Sequence, residues 1–291
     1  MNTRRQKEKP GATPKLAGVV GWPIDHSLSP LIHTIWAHRA SIDGYYIPLA
    51  VPPAYEDFAR VMDGLQAVGF EGVNVTLPHK ENALRYASEA SPTAEKAGAA
   101  NMLTFRNRRP YADNSDVAGF AAALQQALGD KKPPSSAVVL GAGGAARGVI
   151  LAIQSAGVQS ILLTNRTRTK VEAIAKDLSV DVAEWRERNE LLENAELIIN
   201  TTSLGMSGQP PLELDVKKLK SEMIVADIVY SPLETDLLKQ AKARGCGVID
   251  GLDMLMHQAA PGFRAWFGGD AVVDGALRAA LIQELERRGQ I

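Results

Sequence analysis

Short segments with the pattern of β-strands alternate with longer helical segments along most of this chain. Apolar and β-branched residues predict strands over 15–21, 45–51, 72–75 and 101–105, the last followed by a turn over 107–110 that ends at Pro110. Further strands are predicted over 137–140, 161–164, 197–199, 224–226 and 248–249. Helical patterns lie between them, as at 167–178, where the apolar side chains share one face. Such alternation is typical of parallel sheets covered by crossover helices. The sequence therefore predicts an α/β fold.

The alternation is interrupted in two places. An alanine-rich helix expected over 116–128 leads into a surface connection, Gly-Asp-Lys-Lys-Pro-Pro, and after Asp250 only helical patterns follow, over 252–267 and 272–288. A length of 291 residues suits about two domains. We therefore expect a first α/β domain made of residues 15–116 and 252–291, whose C-terminal helices return to it, and a second domain, 117–251, inserted into the first.

Composition narrows the classes of function. A formal net charge of −1 argues against a protein that recruits nucleic acid or anionic membranes. No run approaches about 20 apolar residues, so no membrane span is expected. The single cysteine, Cys246, excludes an internal disulfide and fits a reducing, cytoplasmic compartment. The five histidines show no spacing typical of a metal site. Residues 1–14 are polar and basic, lack the apolar core of a signal peptide, and are expected to be a disordered tail.

A glycine-rich turn follows the strand at 137–140, in the sequence Ala-Val-Val-Leu-Gly-Ala-Gly-Gly-Ala-Ala-Arg. Gly141 allows a tight turn, Gly143 lets the backbone approach a pyrophosphate, and Ala146 allows close packing of helix on strand. The helix N terminus then faces the anion with free N–H groups. The alternative is a merely tight turn, but its position between a strand and a helix favours dinucleotide binding.

The end of the next strand predicts which dinucleotide is bound. An NAD site is typified by a carboxylate about 20 residues on, whereas residues 165–170 read Asn-Arg-Thr-Arg-Thr-Lys. Arg166, Thr167 and Lys170 could hold a 2′-phosphate through charge and a hydroxyl donor. The alternative is a basic helix start exposed to water, which would oppose the helix dipole. We therefore predict NADP.

Polar side chains in two further turns suggest a site for a small polyol acid. Residues 74–80, Asn-Val-Thr-Leu-Pro-His-Lys, place the Asn74 amide and Thr76 hydroxyl at a strand end, with Lys80 opening a helix after the turn at Pro78. The alternative is an ordinary turn with a solvated lysine. Ser27 and Ser29 stand at another helix start, where alternate hydroxyls can bind a carboxylate. Ser29 is also expected to be the N-cap, with Pro30 at the first helical position.

The chain resembles the shikimate dehydrogenases from Val19 to about Ala260. Several motifs in order make this resemblance far more specific than any one of them. They are Gly-Trp-Pro-Ile-Asp-His-Ser-Leu-Ser-Pro (21–30), the segment 74–80, Gly-Ala-Ala-Asn (98–101), Asp-Asn-Ser-Asp (113–116), Gly-Ala-Gly-Gly-Ala-Ala-Arg (141–147), Asn-Arg-Thr (165–167), Asn-Thr-Thr-Ser-Leu-Gly-Met (200–206), Asp-Ile-Val-Tyr (227–230) and Asp-Gly-Leu-Asp-Met-Leu-Met-His-Gln-Ala (250–259).

The resemblance implies a role for each matching residue. Lys80 and Asp116 match the family's catalytic pair, and Ser27 and Ser29 match the serines that hold the substrate carboxylate. The residues that match ring-hydroxyl binders or supports of Lys80 are Asn74, Thr76, Asn101 and Gln258. Positions near substrate and nicotinamide are Tyr230 and Gly251. The matching cofactor positions are Gly141, Ala142, Gly143, Gly144, Ala145, Asn165, Arg166, Thr167 and Lys170.

The implied reaction is the reversible reduction of 3-dehydroshikimate by NADPH to shikimate, a step of aromatic amino acid biosynthesis. The implied protein is a monomer or homodimer with a small-molecule substrate. Three alternatives stay open: a quinate/shikimate dehydrogenase of broader range, a related enzyme for an aminated shikimate, and a non-catalytic NADP-binding regulatory protein. The last is disfavoured by the presence of both Lys80 and Asp116. Four positions depart from common family residues: Ser115 for Thr, Val117 for Gly, Lys170 for Arg and Asp253 for Gly.

Overall fold

The computed structural model describes residues 13–107 and 109–290, which form two six-stranded sheets with helices on their faces. The predicted α/β fold is confirmed. Residues 1–12 of the predicted tail lie outside the described residues. Among the described residues, none of the helices combines the length and the apolar character needed to cross a membrane.

The first sheet is mixed and has the strand order β2-β1-β3-β5-β6-β4. Strand β1 pairs in parallel with β2 and β3, while β5 pairs antiparallel with β3 and β6. The strands are β1 (Lys15–Gly21), β2 (Gly44–Ala50), β3 (Phe70–Val75), β4 (Glu89–Ala90), β5 (Met102–Arg106) and β6 (Arg109–Asp113). The helices that accompany them are α1 (Ser29–Arg39), α2 (Tyr55–Ala67), α3 (Lys80–Tyr86), α4 (Pro92–Ala97) and α5 (Ser115–Leu128).

The second sheet is entirely parallel and has the order β12-β11-β10-β7-β8-β9. Its strands are β7 (Ser136–Leu140), β8 (Ser160–Thr164), β9 (Asp181–Val182), β10 (Leu197–Asn200), β11 (Ile224–Asp227) and β12 (Gly247–Ile249). Its helices are α6 (Gly144–Ser155), α7 (Arg168–Leu178), α8 (Arg188–Leu191) and α9 (Asp236–Ala243). The chain reverses its direction of travel across the sheet between β7 and β10. This reversal opens a crevice at the carboxyl ends of the strands, where ligands of such sheets bind.

Two C-terminal helices, α10 (Gly251–Phe267) and α11 (Gly275–Arg287), pack on the first sheet. Phe263 and Trp266 of α10 are buried in one apolar cluster with Val19 of β1 and Trp36 of α1. Phe120 of α5 is instead buried in the core of the second sheet. Because α5 also packs along α10, this pair of helices connects the two halves of the molecule.

Two local predictions were wrong. The turn predicted over 107–110 is in part strand, because Arg109 and Pro110 pair antiparallel with β5. Pro110 cannot donate a hydrogen bond to the ladder. It is tolerated because it lies near the start of β6, before the residues that pair with β4. Ser29 is not the N-cap: α1 begins at Ser29, Leu28 occupies the cap position, and no side chain caps the helix.

Candidate active site

A cleft of about 780 Å³, partly open to solvent, lies between the carboxyl ends of strands from both sheets. All nine residues predicted on the substrate side line it: Ser27, Ser29, Asn74, Thr76, Lys80, Asn101, Asp116, Tyr230 and Gln258. Gly251 and Ala145, expected at the cofactor, also line this cleft. The structure thus brings residues as far apart in sequence as Ser27 and Gln258 into one cavity.

Lys80 and Asp116 form an ion pair in the wall of this cleft. Lys80 opens α3, directly after the turn at the cis Leu77–Pro78 peptide, and Asp116 is the second residue of α5. Lys80 Nζ donates to Asp116 Oδ2 at 2.6 Å, and the two side chains are only 14% and 6% exposed. Burial of a lone ammonium would be costly, so the pairing explains how a lysine is kept in a largely dry site.

Asn101 holds the second oxygen of Asp116. Its Nδ2 donates to Asp116 Oδ1 at 2.8 Å and, at 3.3 Å, to Oε1 of Gln258. Its Oδ1 accepts the backbone N–H of Ser115 at 2.7 Å and the Ser115 hydroxyl at 3.2 Å. The serine found here in place of threonine therefore keeps the hydroxyl in use. With both oxygens bonded, the Asp116 carboxylate can direct Lys80 into the cleft.

The serine turn forms another part of the wall. The Ser27 hydroxyl accepts the backbone N–H of Ser29, the first residue of α1, at 3.3 Å. Arg288, just beyond α11, donates to the carbonyl oxygen of His26 at 3.1 Å. Arg288 therefore links this turn to the end of α11, which packs on the first sheet.

Tyr230 and Gly251 approach the cleft from the second sheet. Burial raises the pKa of Tyr230 to about 12, with the positive charge of Arg288 opposing the rise. Tyr230 therefore stays protonated and can donate a hydrogen bond at neutral pH. Gly251 has no room for a side chain, since a Cβ there would lie 2.3 Å from the carbonyl oxygen of Ile228.

The glycine turn has the geometry expected for an anion cradle. Gly141 has φ of +113°, and a Cβ there would lie 2.6 Å from Oγ1 of Thr201. Gly143 has open space where its side chain would be, and it leads into α6 without any side-chain cap. A Cβ at the next residue, Gly144, would stand 3.5 Å from Cδ of Lys80. The free N terminus of α6 therefore lies beside the Lys80–Asp116 pair and fits a pyrophosphate.

The basic segment after β8 contains one cation that is paired with carboxylates and two that are not paired among the described residues. Arg168 donates to Glu172 at 2.8 Å and also pairs with Glu184. Arg166 and Lys170 are exposed, and neither has a carboxylate within ion-pair distance in the part of the chain that the structure describes. A second depression of about 510 Å³ includes Arg166 in its lining, together with Trp185, Arg188, Leu204, Pro210, Pro211 and Glu213. Arg166, just after β8, and Lys170, in the first turn of α7, are exposed cations without a carboxylate partner among the described residues, and they fit a phosphate.

Some site residues were not predicted, and some predicted ones are not among the residues that line the main cleft. The lining residues that sequence reasoning missed are Val19, Ile24, His26, Val75, Ile228, Met254 and Leu255. Met254 and Leu255 lie one helical turn before Gln258 on α10, a spacing that could have revealed them. Gly141, Ala142, Gly143, Gly144, Asn165, Thr167 and Lys170 are not among the lining residues of either cavity within the described chain. Their roles stay predictions.

Comparisons with known proteins agree with this arrangement. Residues 19–103 match the family model of the shikimate dehydrogenase substrate binding domain, and residues 123–230 match that of shikimate / quinate 5-dehydrogenase. A shikimate dehydrogenase (NADP(+)) of Dinoroseobacter shibae is 49% identical over 273 residues, covering 92% of this chain and 98% of that protein.

Solved structures have the same fold. The quinate dehydrogenase of Corynebacterium glutamicum in complex with NAD superposes with a TM-score of 0.85 at 28% identity, covering 93% of this chain and 99% of that one. The shikimate 5-dehydrogenase of Thermus thermophilus, in complex with NADP(H) and shikimate, gives a TM-score of 0.82 at 32% identity, covering 92% and 99%. From its sequence, its fold and the residues gathered in its cleft, this chain belongs to the shikimate dehydrogenase family.

Proposed function

We propose that this protein catalyses the reversible NADP-dependent interconversion of shikimate and 3-dehydroshikimate, a step of aromatic amino acid biosynthesis. The observation that carries the proposal is the buried Lys80–Asp116 pair, which faces a polar cleft beside the free N terminus of α6. The relative from Dinoroseobacter shibae is named for this activity, and the Thermus thermophilus structure contains both ligands.

Lys80 manages the proton of the reaction. Bound NADPH supplies the hydride, so the chain's own residues must position the ketone and protonate its oxygen. The Lys80 ammonium gives a proton to that oxygen as it becomes a hydroxyl, and neutral Lys80 takes it back in the reverse direction. Asp116 orients Lys80 and stabilises its charged form, while Asn101 holds Asp116 in place.

The remaining cleft residues bind the substrate. Ser27 and Ser29 would hold the carboxylate, since their hydroxyls and the start of α1 lie in the same wall. Donors and acceptors for the ring oxygens would come from Asn74, Thr76, Asn101, Tyr230 and Gln258. Gly251 would allow the nicotinamide to approach closely, because it presents no side chain.

The cofactor would be NADP rather than NAD. The pyrophosphate fits the turn formed by Gly141, Ala142, Gly143, Gly144 and Ala145. Arg166 and Lys170 would bind the 2′-phosphate, with Thr167 and Asn165 beside them, because these two cations have no carboxylate partner in the described residues while Arg168 has two.

The same proposal assigns the two halves of the chain. Residues 15–116 and 252–291 would form the substrate domain, and residues 117–251 would form the inserted cofactor domain. The distribution of strands between the two sheets supports this division. We also propose a cytoplasmic location, on the basis of the lone cysteine, which suits a reducing compartment, and a monomer or homodimer, as the family resemblance implies.

Steady-state rates with shikimate and quinate, each with NADP and NAD, test the function. We expect shikimate with NADP to give the highest kcat/KM. Comparable rates with quinate would favour a shikimate/quinate enzyme of broader range, which the fold of the Corynebacterium glutamicum quinate dehydrogenase also supports. Absence of NADP reduction with shikimate would overturn the proposal.

A further inference from the structure

Asn74, at the end of β3, receives a hydrogen bond from a tyrosine outside the cleft. The Tyr46 hydroxyl lies 2.7 Å from Asn74 Oδ1, and both side chains are buried. Asn74 Nδ2 lies 3.3 Å from the backbone carbonyl oxygen of Asn101. Asn74 lines the cleft, whereas Tyr46 is not among the lining residues and contacts two of them, Asn74 and Ser29.

These two neighbours determine which way the amide points. A backbone carbonyl can only accept, so the group facing Asn101 must be the Asn74 NH₂. Oδ1 must then face Tyr46, and Tyr46 must be the donor. The second N–H of Asn74 has no protein acceptor in residues 13–107 and 109–290. That N–H is the part of the amide left for a ligand.

The surroundings of Tyr46 keep its hydroxyl a donor and its ring fixed. The ring stacks on His33 with centroids 3.8 Å apart and planes 11° from parallel, and Trp266 lies against it at 6.3 Å. Burial raises the pKa of Tyr46 well above its ordinary value, with the Ser29 hydroxyl opposing, and burial lowers the pKa of His33 to about 3. Both rings therefore stay neutral across the physiological range.

We propose that Tyr46 is a positioning residue that holds the Asn74 amide with its free N–H toward the cleft, so that Asn74 donates to a ring oxygen of the substrate. This inference rests on the proposed function. A donor at this point can bind a ketone oxygen or a hydroxyl oxygen equally, since each has a lone pair. Asn74 would therefore hold the ring in both directions of the reaction.

Tyr46→Phe tests the inference, with Tyr45→Phe as its matched control. Tyr45 is the preceding residue of β2, points to the opposite face of the strand and is 58% exposed. Because Tyr46→Phe leaves the buried Asn74 Oδ1 without a donor, we expect its KM for shikimate to rise about tenfold. The KM for NADP should change by less than about twofold, and Tyr45→Phe should behave like wild type. An unchanged KM for shikimate in Tyr46→Phe would overturn the inference.

A double-mutant cycle separates positioning from a general loss of stability. If Tyr46 acts through Asn74, adding Tyr46→Phe to Asn74→Ala should change the KM for shikimate by no more than about twofold. A second full tenfold rise would contradict this route. If Tyr46→Phe fails to fold, Asn74→Asp tests the second half of the inference, donation by Asn74, since it keeps an acceptor for Tyr46 and removes the N–H. Its loss should equal or exceed that of Asn74→Ala, and a wild-type KM would overturn the inference.

Wild-type kinetics in the same assay keep the two proposals apart. No wild-type turnover of shikimate with NADP would remove the proposed function. Normal wild-type turnover together with an unaffected Tyr46→Phe variant would remove only the role of Tyr46.

Discussion

Lys80 has one carboxylate partner among residues 13–107 and 109–290, and a second hydrogen bond holds that partner, Asp116, in place. Asp116 binds Lys80 through one oxygen and Asn101 through the other, so removal of the ammonium leaves the carboxylate with a remaining donor. We therefore expect Lys80→Ala to fold and to bind NADPH normally. Its kcat should fall by about 10²–10⁴-fold, the usual contribution of a general acid–base group.

The measurement is kcat for shikimate oxidation, alongside a fluorescence titration with NADPH. Lys96→Ala is a suitable control, because Lys96 is an exposed lysine on the neighbouring helix α4. Near-normal turnover in Lys80→Ala would rule out the acid–base role.

The preference for NADP over NAD can be tested at Arg166, with Arg168, two positions further along the chain, as the matched control. Arg166→Asp removes an uncommitted cation and adds a carboxylate of the kind that binds the ribose 2′-hydroxyl of NAD. We expect KM for NADP to rise by about tenfold or more, because a charge-assisted hydrogen bond is lost. KM for NAD should stay the same or fall. Arg168→Gln should leave the NADP/NAD ratio unchanged, since Glu172 and Glu184 already bind Arg168. An unchanged ratio in Arg166→Asp would contradict the assignment.

At the scale of elements, the sequence predicted those helices and strands that neighbouring residues mark, and it missed elements that depend on pairing with distant parts of the chain. The β7–turn–α6 unit was predicted closely, because glycine, strand and helix signals are adjacent in sequence. Strand β6 was missed because Pro110 suggested a turn, and only pairing with β5 makes it a strand. The helix α4 was missed although Ser91 and Pro92 mark its start, since it spans only 6 residues. The resemblance indicated the pairing of Lys80 with Asp116, but residue patterns alone could not, because their partnership depends on tertiary packing.

The Asp227 carboxylate connects two loops beside the cleft through hydrogen bonds, and its titration should make the free energy of unfolding depend on pH. It ends β11 and accepts hydrogen bonds from Asn200 at 3.0 Å, Val229 N–H at 3.1 Å and Thr235 at 2.8 Å. Burial raises its pKa to about 6, although these hydrogen bonds oppose the rise. The folded state therefore holds this proton more tightly than the unfolded state, whose carboxyl has a pKa of about 3.9. The contribution of Asp227 to stability is complete below about pH 4 and is lost as the pH rises through about 6.

We expect Asp227→Asn to reduce the difference in stability between pH 5 and pH 7.5 by about 1 kcal/mol. The wild-type protein should lose that amount over this interval as Asp227 ionises, and the variant should not. Urea unfolding midpoints at the two pH values provide the measurement. Asp130→Asn, in an exposed turn, is the control and should follow the wild type. An Asp227→Asn curve parallel to the wild type would show that Asp227 does not titrate in this range.

At the scale of the whole molecule, α5 connects the cleft to the second sheet. Its first turn carries Asp116, its Phe120 enters the core of the second sheet, and its glycine, Gly119, lies against α10. A Cβ at Gly148 of α6 would stand 3.0 Å from Cβ of Asp116. These two close helix contacts fix the position of Asp116 relative to both sheets. A substitution that separates the helices should therefore move Asp116 and lower the catalytic rate.

Gly119→Ala and Gly64→Ala test that connection. A Cβ at Gly119 would lie 2.6 Å from Cβ of Gln258 and 2.9 Å from its backbone nitrogen, so α5 and α10 must separate. We expect Gly119→Ala to lose about 1–3 kcal/mol, as overpacked cores do, and to lower kcat/KM for shikimate because Gln258 lines the cleft. A Cβ at Gly64, in the exposed face of α2, would have no atom within 4 Å, so Gly64→Ala should gain about 0.5–1 kcal/mol from helix propensity alone. Thermal midpoints and kcat/KM for the two variants provide the comparison. Equal behaviour of the two alanines would mean that the α5–α10 contact does not constrain the site.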